Sequence, residues 1–486
     1  MNLPLLFAEG QRDAADLTPY RENLTEDLCL GPVLDAMAAG DRTVRDSLSC
    51  QIFAPLTDPD AIRYRSEAMQ DAFLNCSTVG SIYAAVSETL EAQGREELRF
   101  TAALHVTSLF RRARRRMEIL LQALRQLSEL GKNTAFRSRA FICLFASWQK
   151  TLSPEFFAGA NDLMHQLNFP DGMQFQARTA LNGHAADYRL LYHTAAEAKA
   201  AGFSLPDTWA QSDLIYREER ALGRTAVELA QAVSGIAGYL EHLKRELAFY
   251  IGGIRLMKKL EARHLPFCFP VPAQNGWTGK SLLALHIALQ AEHPVSNSFR
   301  VLKSALLTGA DLGGKTTFLR SIAQSQLFFQ AGLPVAGEAF SAPVTQGIYT
   351  HFPREEDPSM VSGKLAEELD RMNEIMEHIR PGAVLFSCES FCSTNDAEGS
   401  ALARNIFGAL RDAGVAVFAV THLYLFARKM LDEEQEQWTF LIAQRLADGT
   451  RTYRILPGPP QTTAFSEDIY REVFQEDAKA CRNARH

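Results

Sequence analysis

The sequence predicts two fold classes in one chain. An all-α region covers residues 1–264, an α/β domain with a mainly parallel sheet covers 265–470, and a polar tail covers 471–486. Three observations carry this reading. Before residue 265, apolar residues recur with a period near 3.6, and alternating runs long enough for a strand are few. The stretch His264-Leu265-Pro266-Phe267-Cys268-Phe269-Pro270-Val271-Pro272 then places three prolines in seven residues, which stops a helix. Beyond it, short apolar or β-branched runs at 304–308, 383–387 and 415–420 each precede a helical pattern.

The composition is that of a folded protein. Hydrophobic residues make up 47% and charged residues 22%, which excludes disorder and collagen-like repeats. At roughly 100–200 residues per domain, the length of 486 suggests two to four domains. No uncharged apolar run approaches the ~20 residues of a membrane span, so no membrane partner is expected. The N-terminus lacks the basic region of a signal peptide. Eight cysteines lie scattered without a CxxC pair, which is neither a disulfide framework nor a zinc site. The chain reads as reduced, soluble and cytoplasmic.

Within the helical region, Arg111-Arg112-Ala113-Arg114-Arg115-Arg116 opens a pattern continued by Met117, Leu120, Leu121, Leu124 and Leu127. Five arginines in six residues spread around a helix. A solvated surface with acidic neighbours and a phosphate-contacting patch both fit, although the net charge is −7. From about Asp207 to Arg263 the pattern predicts one long helix. Leu229, Val233, Ile236, Leu240, Leu243, Leu247, Tyr250, Ile254 and Met257 step alternately by four and three, a seam for a neighbouring helix. Such a helix would span roughly 80 Å at 1.5 Å per residue. Gly235, Gly238, Gly252 and Gly253 predict one or two bends in it.

The α/β part carries the chemistry. Gly309-Ala310-Asp311-Leu312-Gly313-Gly314-Lys315-Thr316 fits GxxxxGK[ST] without a mismatch, after an apolar strand and before a helix beginning near Thr317. Such a loop points backbone N–H groups at phosphates from a helix N-terminus. Lys315 is expected to reach the β- and γ-phosphates of ATP, and the Thr316 hydroxyl to ligate Mg²⁺.

Around this loop the sequence resembles the MutS mismatch-repair family, whose loop is of the TG-P-N-M-GGKST type; here it reads Thr308 to Thr317. His293-Pro294-Val295-Ser296-Asn297 resembles the family's adenine-holding segment, which makes His293 and Asn297 candidates for that role. Gly332-Leu333-Pro334-Val335-Ala336-Gly337 resembles its G-x-F-V-P-A turn, and Ile348-Tyr349-Thr350 its following strand. Ser362 to Glu367 keeps the S-x4-E spacing of the family's segment whose serine meets the γ-phosphate of a partner subunit, so the resemblance implies a homodimer with Ser362 acting in trans. Thr421-His422 ends an apolar strand where MutS and ABC-type ATPases place a switch histidine. In the helical part, Ala54-Pro55-Leu56-Thr57-Asp58-Pro59-Asp60-Ala61-Ile62-Arg63-Tyr64-Arg65 is similar to the P-L-x-D-x-x-x-I-x-x-R element of the MutS core. Glu246 to Tyr250 sits where the lever helix returns to the ATPase. The resemblance covers roughly residues 20 to 470.

The departures are as informative. The chain is short for a full mismatch-recognising MutS; Phe7-Ala8-Glu9 has the spelling of the mismatch-reading Phe-x-Glu but no domain around it. Nothing after residue 470 resembles the small MutS-related nuclease domain. The Walker B strand reads Val384-Leu385-Phe386-Ser387-Cys388-Glu389, with Cys388 where an Asp is expected to hold Mg²⁺. Sulfur is a poor substitute for oxygen toward this hard cation. Glu389 remains as general base. The following loop is about two residues short of the family pattern, and Ser393-Thr394-Asn395-Asp396 resembles the S-T-x-D at the family's dimer interface. The expectation is a slowly hydrolysing, dimeric ATP switch acting on DNA, mismatch-repair-related or branched. The same switch acting on a protein partner is the second reading, and an ABC- or SMC-type ATPase, weakened by the lack of an LSGGQ-like segment, the third.

Overall fold

The computed structural model describes residues 5–8, 18, 20–98, 105–132, 135–169, 175–179, 185–190, 211–354, 363–446 and 449–461. Packing divides the chain into two units that are not contiguous in sequence. One joins Met1–Glu9 to Leu74–Ile251, and the other joins Gly10–Phe73 to Gly252–His486.

The first unit is built on helices Cys76–Leu98, Val106–Leu130, Arg139–Thr151 and Pro154–Gln166, with most of the long helix Gln211–Ala262. The Val106–Leu130 helix begins five residues before the arginine run and buries Phe110, Ala113, Met117, Leu120, Leu121, Leu124 and Leu127. Its arginines divide as a helix surface requires. Arg116 exchanges hydrogen bonds with the buried Gln93, donating from Nε to the amide oxygen at 2.7 Å while its carbonyl accepts at 2.8 Å. Arg114 pairs with Glu118 at 3.3 Å one turn on, and Arg111 and Arg115 are exposed. The expected all-α character needs one correction. Phe175–Thr179 and Ala185–Leu190 form an antiparallel hairpin. Strands this short do not register in a helical-period window of 11–18 residues. The Asn182-Gly183 dipeptide between them in sequence is a hairpin-turn signal.

The predicted long helix is a single uninterrupted element of 52 residues, Gln211–Ala262. Every seam residue from Leu229 to Met257 is buried except the half-buried Ile236. Gly252 and Gly253 serve close packing within the second unit. A Cβ at Gly252 would stand 2.6 Å from Leu48 Cδ1, and one at Gly253 would collide with the Met69 thioether.

The second unit centres on a six-stranded sheet, ordered Ile348–His351, Val384–Cys388, Ala416–Val420, Ser304–Thr308, Trp438–Arg445, Arg451–Pro457. The first five are parallel and the last is antiparallel. All residues of Ser304–Thr308 and Val384–Cys388 are buried, as expected of parallel strands covered on both faces. A second, four-stranded sheet flanks it, ordered Val271–Pro272, Ala339–Ala342, Trp277–Leu282, Asn297–Val301.

The helix Lys315–Ala331, which follows the phosphate loop, buries 14 of its 17 residues. Three glutamines on it, Gln324, Gln326 and Gln330, are fully buried, and their amides bond to distant backbone. Gln324 donates to Leu28 O at 2.6 Å. Gln330 donates to Leu56 O and Thr345 O and accepts from the Thr345 amide and hydroxyl. Arg65, also fully buried, donates to Ala331 O at the C-terminal end of that helix, where a cation is favoured. Residues 28–65 thus wall in the phosphate-loop helix through buried polar bonds, each costly to leave unmade.

Candidate functional site

In a parallel sheet of this kind the carboxyl ends of the strands define the functional edge. Here that edge carries the 309–316 loop after Thr308, Cys388 at the end of the Val384–Cys388 strand with Glu389 after it, and Thr421-His422 after the Ala416–Val420 strand. The loop closes tightly through left-handed backbone at Gly309 (φ +118°), Leu312 (φ +57°) and Gly314 (φ +88°). Gly314 is the N-cap of the Lys315–Ala331 helix, so the helix start and its unpaired N–H groups face the loop's interior.

Lys315 is buried, with Nζ donating to Gly309 O at 2.7 Å and Ala310 O at 2.9 Å. Asp311 Oδ1 lies 3.5 Å from the same ammonium. Burial lowers the Lys315 pKa, and Asp311 and Glu389 oppose that shift. The Thr316 hydroxyl meets Cys388 Sγ at 3.3 Å, so the two positions expected to face Mg²⁺ are neighbours. Burial pushes the Cys388 thiol up to about 11, so it keeps its proton at neutral pH. Magnesium takes oxygen ligands. The side chains offer it the Thr316 hydroxyl and, opposite, a protonated sulfur. Among the described residues no group of three His, Cys, Asp or Glu could hold a metal. Of these two positions only Thr316 presents oxygen, so it is the one that would hold magnesium, with water and phosphate oxygens making up the rest of the shell.

Glu389 sits in left-handed backbone (φ +52°), a strained setting for a non-glycine residue, and its N–H donates to Val420 O at 2.8 Å. His422 Nε2 stands 3.0 Å from Glu389 Oε1 and 3.2 Å from Asp311 Oδ1. Ionised carboxylates only accept, so this nitrogen carries the proton. The hydrogen bond from His422 holds the Glu389 carboxyl below its usual range despite burial, which keeps it an anion able to take up a proton.

The 309–316 loop, Thr317 at the start of its helix, Glu389 and His422 therefore occupy one sheet edge. The remaining sequence candidates have other settings. Asn297 donates from its amide to Tyr453 O at 3.1 Å and accepts from Ile455 N at 2.8 Å, so both ends of that amide hold the Arg451–Pro457 strand. His293 is exposed. Ser362 lies outside the described residues. Asn395 caps the Asp396–Asp412 helix by accepting from Glu398 N, and Thr394 and Asn395 both donate to the Glu398 carboxylate, so this segment has a local capping role.

Two features had no spacing signal in the sequence. Tyr453 is half exposed with φ +58°, and its Cβ would stand 3.5 Å from a Cβ on Gly314, placing an aromatic side chain beside the loop. Behind Glu389, His351 Nδ1 meets Ser390 Oγ at 2.5 Å, Ser390 Oγ meets Ser387 Oγ at 2.6 Å, and His351 Nε2 faces Glu368 O at 3.1 Å. Burial first, then Arg371 and Arg354, lower the His351 pKa to about 4, so the imidazole is neutral in the folded protein. An unfolded chain takes up a proton there near pH 6.5, and the folded one only near pH 4. Stability from this group is therefore complete above pH 6.5 and is lost as pH falls toward 4, by at most about 3 kcal/mol. His286, pushed to about 4 by burial, acts in the same direction. Denaturant unfolding between pH 7.5 and 4.5 is expected to show this decline, and His351→Gln to flatten part of it. An unchanged slope in the variant would mean that His351 does not titrate this way.

Comparison with known proteins agrees with both halves of the chain. A family model described as MutS2 N-terminal domain matches residues 57–263, and one described as MutS domain V matches residues 305–462. Among curated relatives, Endonuclease MutS2 of Lactobacillus gasseri is 25% identical over 269 residues, 53% of this chain and 32% of that protein. Endonuclease MutS2 of Pelotomaculum thermopropionicum is 25% identical over 281 residues, 56% of this chain and 34% of that protein. That of Thermus thermophilus is 30% identical over 142 residues, 28% of this chain and 19% of its own length. The chain thus spans about a third or less of the length of these relatives. Among the described residues no helix is long and apolar enough to cross a membrane, and the seven described cysteines are free. With a helical portion matching one MutS2 domain and a phosphate-loop portion matching MutS domain V, the chain belongs to the MutS family.

Proposed function

We propose that this chain is an ATP-binding, slowly hydrolysing switch that works as a dimer and acts on DNA, with branched or otherwise structured duplexes as its preferred class. The observation that carries the reading is the meeting of Lys315, Thr316, Glu389 and His422 at one sheet edge. Lys315 and the loop N–H groups hold the β- and γ-phosphates of ATP. Glu389, kept anionic by His422, accepts the proton of the attacking water, and the His422 Nε2–H turns toward the γ-phosphate. Magnesium would neutralise phosphate charge; Thr316 is the side chain to hold it, and Cys388 in place of a carboxylate makes turnover slow. Asn297 serves the adenine side by holding the strand of Tyr453, whose ring offers a flat face beside the loop. Ser362 completes the site of the partner subunit.

A protein target is the second reading, favoured by the net charge of −7 and a pI near 6.0. One experiment separates the two. Binding of the chain to linear, mismatched and four-way-branched duplexes is measured with and without ATP, across a salt titration. ATP-dependent binding with a steep salt slope supports the DNA switch. Absence of DNA binding at low salt, with ATP still bound, overturns it in favour of a protein target.

A further inference from the structure

Resting on the nucleotide reading above, we infer that Asp311 is a built-in competitor of the γ-phosphate, so that the loop favours a nucleoside diphosphate over a triphosphate. The residue lies inside the phosphate loop itself, four positions before Lys315. Its Oδ1 contacts two groups assigned to the γ-phosphate, Lys315 Nζ at 3.5 Å and His422 Nε2 at 3.2 Å. A carboxylate oxygen touching both a phosphate-binding ammonium and a phosphate-sensing imidazole N–H makes the contacts a phosphoryl oxygen would make. The ammonium's other contacts, Gly309 O and Ala310 O, are also oxygens of its own loop. Lys315 is therefore satisfied internally, and an incoming phosphate has to replace at least one of these acceptors.

The competition falls unequally on the two nucleotides. A β-phosphate cradled by the loop N–H groups does not require His422. A γ-phosphate has to reach His422, whose Nε2 is shared by Asp311 and Glu389, 3.2 and 3.0 Å away. It brings negative charge toward two carboxylates, a repulsion that grows as water is excluded. The Asp311 side chain is 50% exposed, so it is free to swing aside. The backbone supports this: Leu312, beside it, is exposed with φ +57°, so the loop crest carries few packing restraints. Asp311 thus acts as a latch that the third phosphate must open.

The test uses the full chain with ADP and with a non-hydrolysable ATP analogue, titrated against the native protein, Asp311→Asn and Asp311→Ala. Asn keeps the size and removes the charge, and thermal unfolding checks that each variant is folded. Both variants are expected to tighten the triphosphate analogue by about tenfold, one decade of affinity, and ADP by less than about threefold. Equal tightening of both nucleotides, no change, or weaker triphosphate binding would overturn the latch while leaving the nucleotide site intact. Failure of every folded protein to bind either nucleotide would overturn the nucleotide reading and the latch with it.

Discussion

Replacing Lys315 with Ala is expected to lower ATP affinity ten- to a hundredfold, the range of a charge-assisted hydrogen bond worth about 1.5–3 kcal/mol. The loss has two sources. The point charge facing the β- and γ-phosphates disappears. The carbonyls of Gly309 and Ala310 also lose the donor that draws them inward, so the loop is less well set for binding. Because Lys315 is buried, the variant's thermal unfolding has to be followed alongside equilibrium ATP binding. A folded Lys315→Ala protein with native affinity would remove the phosphate-loop assignment. Lys315→Arg is expected to retain little of the affinity, since the longer, planar guanidinium does not fit where a compact ammonium is enclosed.

Cys388→Asp is expected to raise Mg²⁺-dependent ATP turnover and to lower the Mg²⁺ concentration needed for half-maximal nucleotide binding by about tenfold, one decade being about 1.4 kcal/mol. The native side chain is a buried thiol, pushed up to about 11, 3.3 Å from the Thr316 hydroxyl. An Asp there puts an oxygen anion beside Thr316 and next to Glu389, the donor type magnesium requires. Without metal, the same carboxylate lies in a buried position beside another acid. Apo stability is then expected to fall by about 1–3 kcal/mol, offset in part by Thr316 and Lys315. Mg²⁺ titrations of nucleotide binding and turnover, with unfolding curves in the absence of Mg²⁺, measure both effects. If the native protein already turns over at ordinary rates and the substitution leaves its Mg²⁺ dependence unchanged, Cys388 is a packing residue and nothing more.

The features written into short stretches of sequence were legible without the structure. The 309–316 loop follows from glycine and lysine spacing, because positive φ and an ammonium at the helix start are local requirements. The Gln211–Ala262 helix follows from its alternating four- and three-residue steps, and the change of structure type after residue 264 follows from three prolines. Glu389 and His422 could be named because each follows an apolar strand at a position where the resemblance to the MutS family implies a general base and a switch histidine. The tertiary structure alone decided which distant residues meet. Asp311 lies against His422, Asn297 holds the strand of Tyr453, and Leu28, Leu56 and Arg65 close around the phosphate-loop helix. These pairs are separated by more than a hundred residues, and their meeting depends on strand order and on which helix faces fill the space between. Local periodicity records which side of an element is apolar; the partner is selected only when buried polar groups and packed side chains must all be satisfied at once.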